Sequence, residues 1–182
     1  MEAELGLSVR RDPDFDALYR LQSHDWISVV VDLDGEVEGT GTVIVREGYV
    51  NGERRRVGYL GDLRLSPKVQ GRCVLDRGFG SLLEQARERF GCGLFLTSII
   101  ASNTRAIRAL VTQTRKSRAA GRPVYTPIGD FDIRSLHLLP PRRQRAPVVS
   151  VRRGTPDDIP ALARFLDADA QRRPFGYAFP ES

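Results

Sequence analysis

The residues at positions 63–75, LRLSPKVQGRCVL, combine the residue types of an anion-binding turn. An alternating apolar run ends at Pro67, Gly71 follows, and a helical pattern begins directly afterwards. Such a turn presents consecutive backbone N–H groups at the start of a helix, where the helix dipole favours negative charge. The stretch therefore predicts an anion-binding site.

The remaining reactive side chains are isolated. His24 and His137 are far apart and lack the spacing of metal ligands, and Cys73 with Cys92 can build neither a disulfide framework nor a zinc site. No metal site is therefore predicted. Cys73 stands at a helix N-terminus, where a thiol can be reactive, but a buried small residue is the favoured interpretation.

Three extended runs before this stretch predict an antiparallel meander. Residues 28–34 and 36–46 are rich in β-branched residues and meet at Asp34-Gly35, a strong hairpin signal. The third run, 56–66, follows the turn signal Asn51-Gly52. The third strand therefore leads directly into the predicted anion site.

An alternation of helices and strands is predicted after the turn. Apolar residues at helical spacing between Val74 and Phe90 predict a helix, and residues 94–101 read as a buried strand. Asn103 is a good N-cap for a second helix that runs to about Ala120. Two further strands are expected at 124–126 and 132–138.

The C-terminal part has the composition of a new unit. Residues 140–147, PPRRQRAP, form a linker-like run, a strand is expected at 148–152, and the run 155–158, TPDD, is a strong helix start. We therefore predict a domain at 1–140, a linker at 141–147 and the incomplete start of a second unit at 148–182. Because its own domain would be missing, the second unit is expected to expose an apolar face.

This order of elements resembles the GNAT superfamily of N-acetyltransferases. Residues 63–67, LRLSP, match the end of the family's fourth strand, and residues 70–72, QGR, match the start of its pyrophosphate loop. Asn103 and Ala106 match the Asn-x-x-Ala of its next helix, and the tail is similar to the beginning of another such domain. The resemblance implies an α/β (α+β) fold, with a mixed, mostly antiparallel, V-splayed sheet and helices on both faces.

The resemblance also implies a cosubstrate and a set of site residues. Acetyl-CoA would lie on the loop, with its pyrophosphate on the backbone amides of 70–75 and with Asn103 nearby, while amides near 63–65 polarise the thioester carbonyl. Asp62 would accept a proton from the substrate amine. The alternative for Asp62 is a structural ion pair with Arg64 or another arginine. The implied cofactor-binding residues are Leu63, Arg64, Leu65, Gln70, Gly71, Arg72, Cys73, Val74, Leu75 and Asn103.

Three positions depart from the family pattern. Cys73 and Leu75 occupy positions that are small in the family, and a second register would place the loop at 77–80, RGFG. In the first register Gly78 and Gly80 lie inside the helix, where close packing against the sheet is the structural interpretation. Leu110 stands where the family has a tyrosine that often protonates the CoA thiolate.

Composition limits the remaining possibilities. The 182-residue chain is 41% hydrophobic and carries a net charge of +5, which disfavours disorder along its whole length. Its longest apolar run is too short for a membrane span, no apolar leader is visible, and the expected location is the cytoplasm. All but two of the 28 basic residues are arginine. Compositional bias accounts for this better than nucleic-acid binding, although an arginine-rich nucleic-acid-binding module stays a third alternative.

The sequence thus predicts transfer of an acetyl group from acetyl-CoA to a primary amine of a small molecule or peptide. A degenerate domain that binds acyl-CoA, or that only packs against a partner, is the main alternative. A homodimer and a tandem partner domain both stay open.

Overall fold

The structure, a computed structural model, describes residues 10–70, 74, 78–112, 125–130 and 149–179. Helices and strands alternate along the chain after an initial meander. The elements are α1 (Ala17–Gln22), β1 (Asp25–Leu33), β2 (Glu36–Val50), β3 (Glu53–Leu65), α2 (Gly80–Phe90), β4 (Leu94–Leu96), α3 (Thr104–Leu110), a 3-10 turn (Pro156–Asp158), α4 (Ile159–Gln171) and β5 (Phe175–Tyr177).

The predicted meander is confirmed. β1 pairs with β2 and β2 with β3, both antiparallel. Asp34 and Gly35 have φ values of 56° and 84°, and Asn51 and Gly52 have 51° and 83°, so both hairpin turns need left-handed backbone at two successive positions. Because the second turn lies at Asn51-Gly52, β2 continues to Val50, beyond its expected end at 46.

The parallel neighbour of β3 is confirmed as well, but it is shorter than predicted. Leu94 pairs with Val57, and Leu96 with Tyr59. The strand ends at Leu96, because the chain of residues 97–100 turns away from β3 and lines a cavity between the two. Two side-chain hydrogen bonds still join this segment to β3: the Thr97 hydroxyl donates to the Leu60 carbonyl oxygen at 2.9 Å, and the hydroxyls of Ser98 and Tyr59 are 2.5 Å apart.

The helices α1 and α2 lie on opposite faces of the sheet. On one face, the side chains of α2 pack against buried residues of β1, β2 and β3; this core comprises Ile27, Val43, Val45, Leu60, Phe79, Leu82, Leu83, Ala86 and Cys92. On the other face, Tyr19 of α1 is 1% exposed and lies beside Thr42. Side chains of adjacent strand residues point to opposite faces of a sheet, so Thr42 faces α1 and Val43 faces α2.

The tail joins the same sheet. β5 pairs antiparallel with the end of β2, where Tyr177 faces Gly48 and Phe175 faces Val50. A capping box between Thr155 and Asp158 starts the helical segment, and the Tyr49 hydroxyl donates to Asp167 on α4 at 2.8 Å. The predicted linker at 141–147 therefore separates two segments that share one sheet.

The outer face of α4 is apolar and exposed. Ile159, Leu162 and Phe165 are 55%, 53% and 68% exposed. The predicted strand at 148–152 is wrong for 149–152, which have no strand pairing. Their side chains, including Val149 and Val151, are largely exposed, so these residues have no partner strand to pack on.

Two other elements also differ from the sequence prediction. The helix that Asn103 caps ends at Leu110 and does not continue to about 120. The β-branched residues Val111 and Thr112 follow Leu110 directly, and residues 113–120 lie outside the described residues. Tyr125 and Thr126 are not in a strand, and the strand expected at 132–138 lies outside the described residues. Among the described residues, no helix has both the length and the apolar character to cross a membrane.

Candidate active site

A β-bulge in β3 lies where β3 and β4 separate. Thr42 pairs with Gly61 and Thr40 with Arg64, so Asp62 and Leu63 together oppose the single residue Gly41. Asp62 adopts left-handed backbone with φ 51°. A bulge leaves its extra residue out of the regular ladder and redirects the strand. It therefore turns backbone polar groups of β3 toward the opening between the strands.

This opening is a cavity of about 460 Å³. Residues 59–64 of β3 form one wall and residues 97–100 form the other. Its lining also includes Tyr19, Phe79, Asn103, Ala106, Leu110 and Tyr125. The cavity thus reaches from α1 on one face of the sheet to α3 and the start of α2.

Asp62 is held in this cavity by two groups from the N-terminal segment. Arg11 Nη2 donates to Asp62 Oδ1 at 2.9 Å, and Arg11 Nη1 lies 2.9 Å from Oδ2. The Tyr19 hydroxyl donates to Oδ2 at 2.7 Å and accepts from Arg11 Nη1, also at 2.7 Å. The Arg11 and Asp62 side chains are 16% and 17% exposed, so this is a well-shielded pair.

The ion-pair alternative for Asp62 is therefore realised with Arg11. Arg64 Nη2 lies 3.8 Å from Asp62 Oδ1, beyond hydrogen-bond distance, and its side chain is 68% exposed. Burial lowers the pKa of Arg11, but the hydrogen bond and charge of Asp62 outweigh it, and the net pKa is raised. The guanidinium consequently stays charged, and the pair keeps its electrostatic attraction.

The predicted loop residues have been partly located. The Gln70 side-chain amide donates to the Leu65 carbonyl oxygen at 2.8 Å, so it braces the end of β3. Leu65 itself pairs with Gly39, and Val74 is helical and half-buried. Gly71, Arg72, Cys73 and Leu75 lie outside the described residues, and their assignment to the pyrophosphate stays a prediction.

The two glycines at the start of α2 border open space. A Cβ added at Gly78 or Gly80 would meet no atom of the described residues within 4 Å, so the interpretation of close packing against the described strands of the sheet is wrong. Phe79, between them, is buried against the core and fixes this turn. The open space agrees with the second loop register, at 77–80, in which these glycines leave room for a ligand at the helix start.

Asn103 and Leu110 occupy the cavity's other side. The Asn103 side-chain oxygen accepts from the Ala106 backbone N–H at 3.1 Å, which confirms the predicted N-cap. Both residues line the cavity. Leu110 offers no donor there, which leaves the position of the family's tyrosine without a polar group.

Tyr125 supplies a hydroxyl to this cavity that sequence reasoning missed. It lines the cavity and packs against the core, and its hydroxyl is buried without a hydrogen-bond partner in the part of the chain that the structure describes. Burial raises the pKa of Tyr125 to about 12. Its sequence context, between Pro123 and Pro127, indicated only a short strand. Arg11 and Tyr19 were also missed, because nothing local links them to Asp62.

Comparisons with known proteins show the family to which the chain belongs. Residues 4–111 match the Acetyltransferase (GNAT) family. That match spans more than half of the 182 residues, and the chain belongs to this family of acetyltransferases. It is accordingly an acyl-CoA-dependent N-acetyltransferase by family. No curated protein sequence matches the chain.

Several solved structures are similar to this chain. An aminoglycoside acetyltransferase from an uncultured soil metagenomic sample, solved with trehalose, is 16% identical, covers 70% of this chain and 78% of its own, and has a TM-score of 0.49. Glucosamine-6-phosphate N-acetyltransferase from Arabidopsis thaliana is 13% identical over 63% of this chain and 71% of its own, with a TM-score of 0.43. An acetyltransferase from Clostridium acetobutylicum, solved with acetyl-CoA, is 11% identical over 56% and 70%, with a TM-score of 0.43.

Proposed function

We propose that this protein transfers an acetyl group from acetyl-CoA directly to a primary amine. The observation that supports this most strongly is the β-bulge at Asp62-Leu63, which lies at the mouth of the cleft between β3 and β4. There, backbone amides of 63–65 can polarise the carbonyl of a thioester held in the cleft. Donors aimed at developing oxyanion charge lower the barrier of acyl transfer.

Asp62 can receive the proton that the amine releases. A carboxylate has about four acceptor positions, and Arg11 and Tyr19 take three of those on Asp62. The remaining position is open to an amine or to a water that relays its proton. In this proposal Arg11 and Tyr19 are positioning residues, because they fix the carboxylate without touching the substrate.

Tyr125 can stabilise the departing sulfur. Its hydroxyl is the buried donor in the cavity that lacks a partner among the described residues. The pKa of Tyr125 is raised to about 12, well above the ~8.5 of an ordinary thiol. Tyr125 therefore donates a hydrogen bond to the thiolate and keeps its own proton, while solvent protonates the thiolate after release.

The start of α2 fits the pyrophosphate. It presents the first amides of an 11-residue helix, and the open space beside Gly78 and Gly80 leaves room for a phosphate. The turn at 67–70, braced by Gln70, leads into the same region. The loop at 70–75 and the glycines at 78–80 are thus the two positions that a binding experiment must separate.

The degenerate alternative rests on Leu110, which removes the family's usual donor from the cleft. Calorimetric titration with acetyl-CoA and with CoA, followed by turnover measurements on a panel of primary amines, tests both readings. Binding with turnover supports the proposed transferase. Binding with no turnover on any amine supports a degenerate acyl-CoA-binding domain. No binding at all contradicts both of these and supports a degenerate domain that only packs against a partner.

A further inference from the structure

The cavity's α1 side contains Arg64, an exposed arginine whose nearest carboxylate among the described residues, Asp62, lies 3.8 Å away. A second cavity of about 240 Å³ adjoins the first and shares Arg11, Asp62 and Arg64 with it. Its remaining lining comes from the N-terminal segment and from Thr40, which pairs with Arg64 across the sheet. No described residue of α2, β4 or α3 lines this second cavity.

Two arginines and two aspartates line this second cavity, and the partners of three of them are shown. Asp62 is occupied by Arg11 and Tyr19, and Asp12 is paired with Arg10 at 3.1 Å. Arg64 has no hydrogen bond within the part of the chain that the structure describes. Its Nη2 atom lies 3.8 Å from Asp62 Oδ1, which is within ion-pair distance but beyond hydrogen-bond distance. One guanidinium therefore remains available beside the carboxylate that would receive the amine's proton.

Arg64 lies on the acceptor side of the sheet. Leu63 packs against the core under α2, so its neighbour Arg64 projects from the opposite face, where α1 and Asp62 lie. The start of α2, proposed above for the pyrophosphate, is on the other side. An amine bound at the bulge would thus place its substituents, and not the CoA phosphates, against Arg64.

We infer that the acceptor is a primary amine that also carries an anionic group, a carboxylate or a phosphate, bound by Arg64. Guanidinium groups bind both anions through paired hydrogen bonds. This inference rests on the proposed function, since it names the class of its acceptor.

Matched acceptor pairs test the inference on the full chain. Glycine against glycinamide varies a carboxylate, and O-phosphoethanolamine against ethanolamine varies a phosphate. For each pair kcat/KM is measured in the wild type and in Arg64→Gln. The ratio between the two proteins cancels the differing basicity of the amines.

We expect Arg64→Gln to lower kcat/KM at least tenfold for the anionic member of at least one pair, mainly through KM, and less than twofold for the neutral member. Arg64→Glu should reverse the preference. The KM for acetyl-CoA should stay within twofold in both variants. Arg55→Gln is the matched control, because Arg55 is exposed on β3 and paired with Glu53 away from the cavities.

Three outcomes would overturn the inference. A raised KM for acetyl-CoA in Arg64→Gln would place Arg64 on the cosubstrate. An equal fall in kcat/KM for anionic and neutral acceptors in Arg64→Gln would show that Arg64 does not bind the anionic group. A wild type that binds acetyl-CoA and acetylates neither anionic nor neutral amines would refute the proposed function itself, which distinguishes the two failures.

Discussion

Arg11 and Asp62 are separated by 51 residues in the sequence, yet the two guanidinium nitrogens of Arg11 lie 2.9 Å from the two carboxylate oxygens of Asp62. The pair joins the N-terminal segment to the bulge of β3, and Tyr19 completes it. A proton acceptor that is also half of a shielded ion pair has two roles. Substitutions at Asp62 must therefore be read against their effect on stability.

Asp62→Asn should lower turnover about 10²-fold, the usual scale of general-base catalysis, and leave acetyl-CoA binding nearly intact. Asparagine tolerates left-handed backbone, so φ 51° is not an obstacle. The loss should shrink as pH rises, because the substrate amine then deprotonates unaided. A pH profile of kcat/KM checks this, and full activity of the variant would remove Asp62 from the mechanism.

The same substitution should destabilise the protein, since it leaves the charge of Arg11 without its partner in a shielded site. Adding Arg11→Gln to Asp62→Asn should recover part of the lost stability without recovering turnover. Chemical denaturation and steady-state kinetics on the single and double variants measure the two effects separately. Recovery of turnover in the double variant would show that Asp62 acts only through the fold.

The sequence predicted well those parts of the fold that depend on local signals. Asp34-Gly35 and Asn51-Gly52 indicated both hairpins, and Asn103 indicated the start of α3. The end of β4 was misjudged, because 97–100 are as apolar as a buried strand but line a cavity. Apolar character alone does not show whether a segment pairs with a neighbouring strand or borders a cleft, and Ile100 is 75% exposed.

The cavity lining was predictable at Asp62 and its neighbours on β3, and at Asn103. Arg11, Tyr19 and Tyr125 reach the cavity from distant segments, and their roles come from tertiary packing alone. Arg64 was correctly expected near the site, but its expected partner Asp62 is held by Arg11. A chain with so many arginines offers several partners for each carboxylate, and periodicity does not choose among them.

Gly80→Ala should stabilise the protein and weaken CoA binding. The new methyl group would meet open space, and replacing glycine by alanine in a helix gains up to about 1 kcal/mol. If a phosphate occupies that space, the methyl group displaces it, and we expect at least a tenfold rise in the Kd for CoA. Thermal unfolding and calorimetry measure the two effects.

Glu84→Ala, on an exposed position of α2, is the control, and it should leave the Kd unchanged. An unchanged Kd in Gly80→Ala would place the pyrophosphate on the loop at 70–75. In that case Gly71→Pro, which removes a donor and fixes φ, should abolish binding, while Gln70→Ala should weaken it little.

Tyr125→Phe should reduce turnover about tenfold while the unliganded protein keeps or gains stability. The hydroxyl is buried without a partner, so its removal ends a desolvation cost. Tyr49→Phe is the matched control: it breaks the bond to Asp167, so it should destabilise the protein and leave turnover unchanged. The reverse pattern, with Tyr125→Phe less stable and fully active, would make Tyr125 a structural residue.

The alkaline stability of the two proteins gives a second test of Tyr125. Burial raises its pKa from 10.0 to about 12, so the folded protein holds the phenol proton more tightly than the unfolded chain does. The associated stability is complete below pH 10 and is lost as pH rises toward 12. Relative to Tyr125→Phe, the wild type should lose on the order of 2 kcal/mol over this window, as measured by denaturant unfolding.

Removal of residues 148–182 should destabilise the protein without altering its active site. β5 covers the edge of β2 at 48–50, and Tyr49, Ala170 and Ala178 form a small buried cluster there. Exposing the Tyr49 side chain alone costs about 1.5–3 kcal/mol, so we expect the Tm to fall by at least about 5 °C. The described part of the tail contributes nothing to the cavity's lining, and turnover per folded molecule at low temperature should therefore be retained.

Asp167→Asn in the full chain weakens the contact between α4 and Tyr49 and should produce a smaller fall in Tm than the truncation does. An unchanged Tm after the truncation would instead support the predicted boundary at 141–147 and a separate second unit.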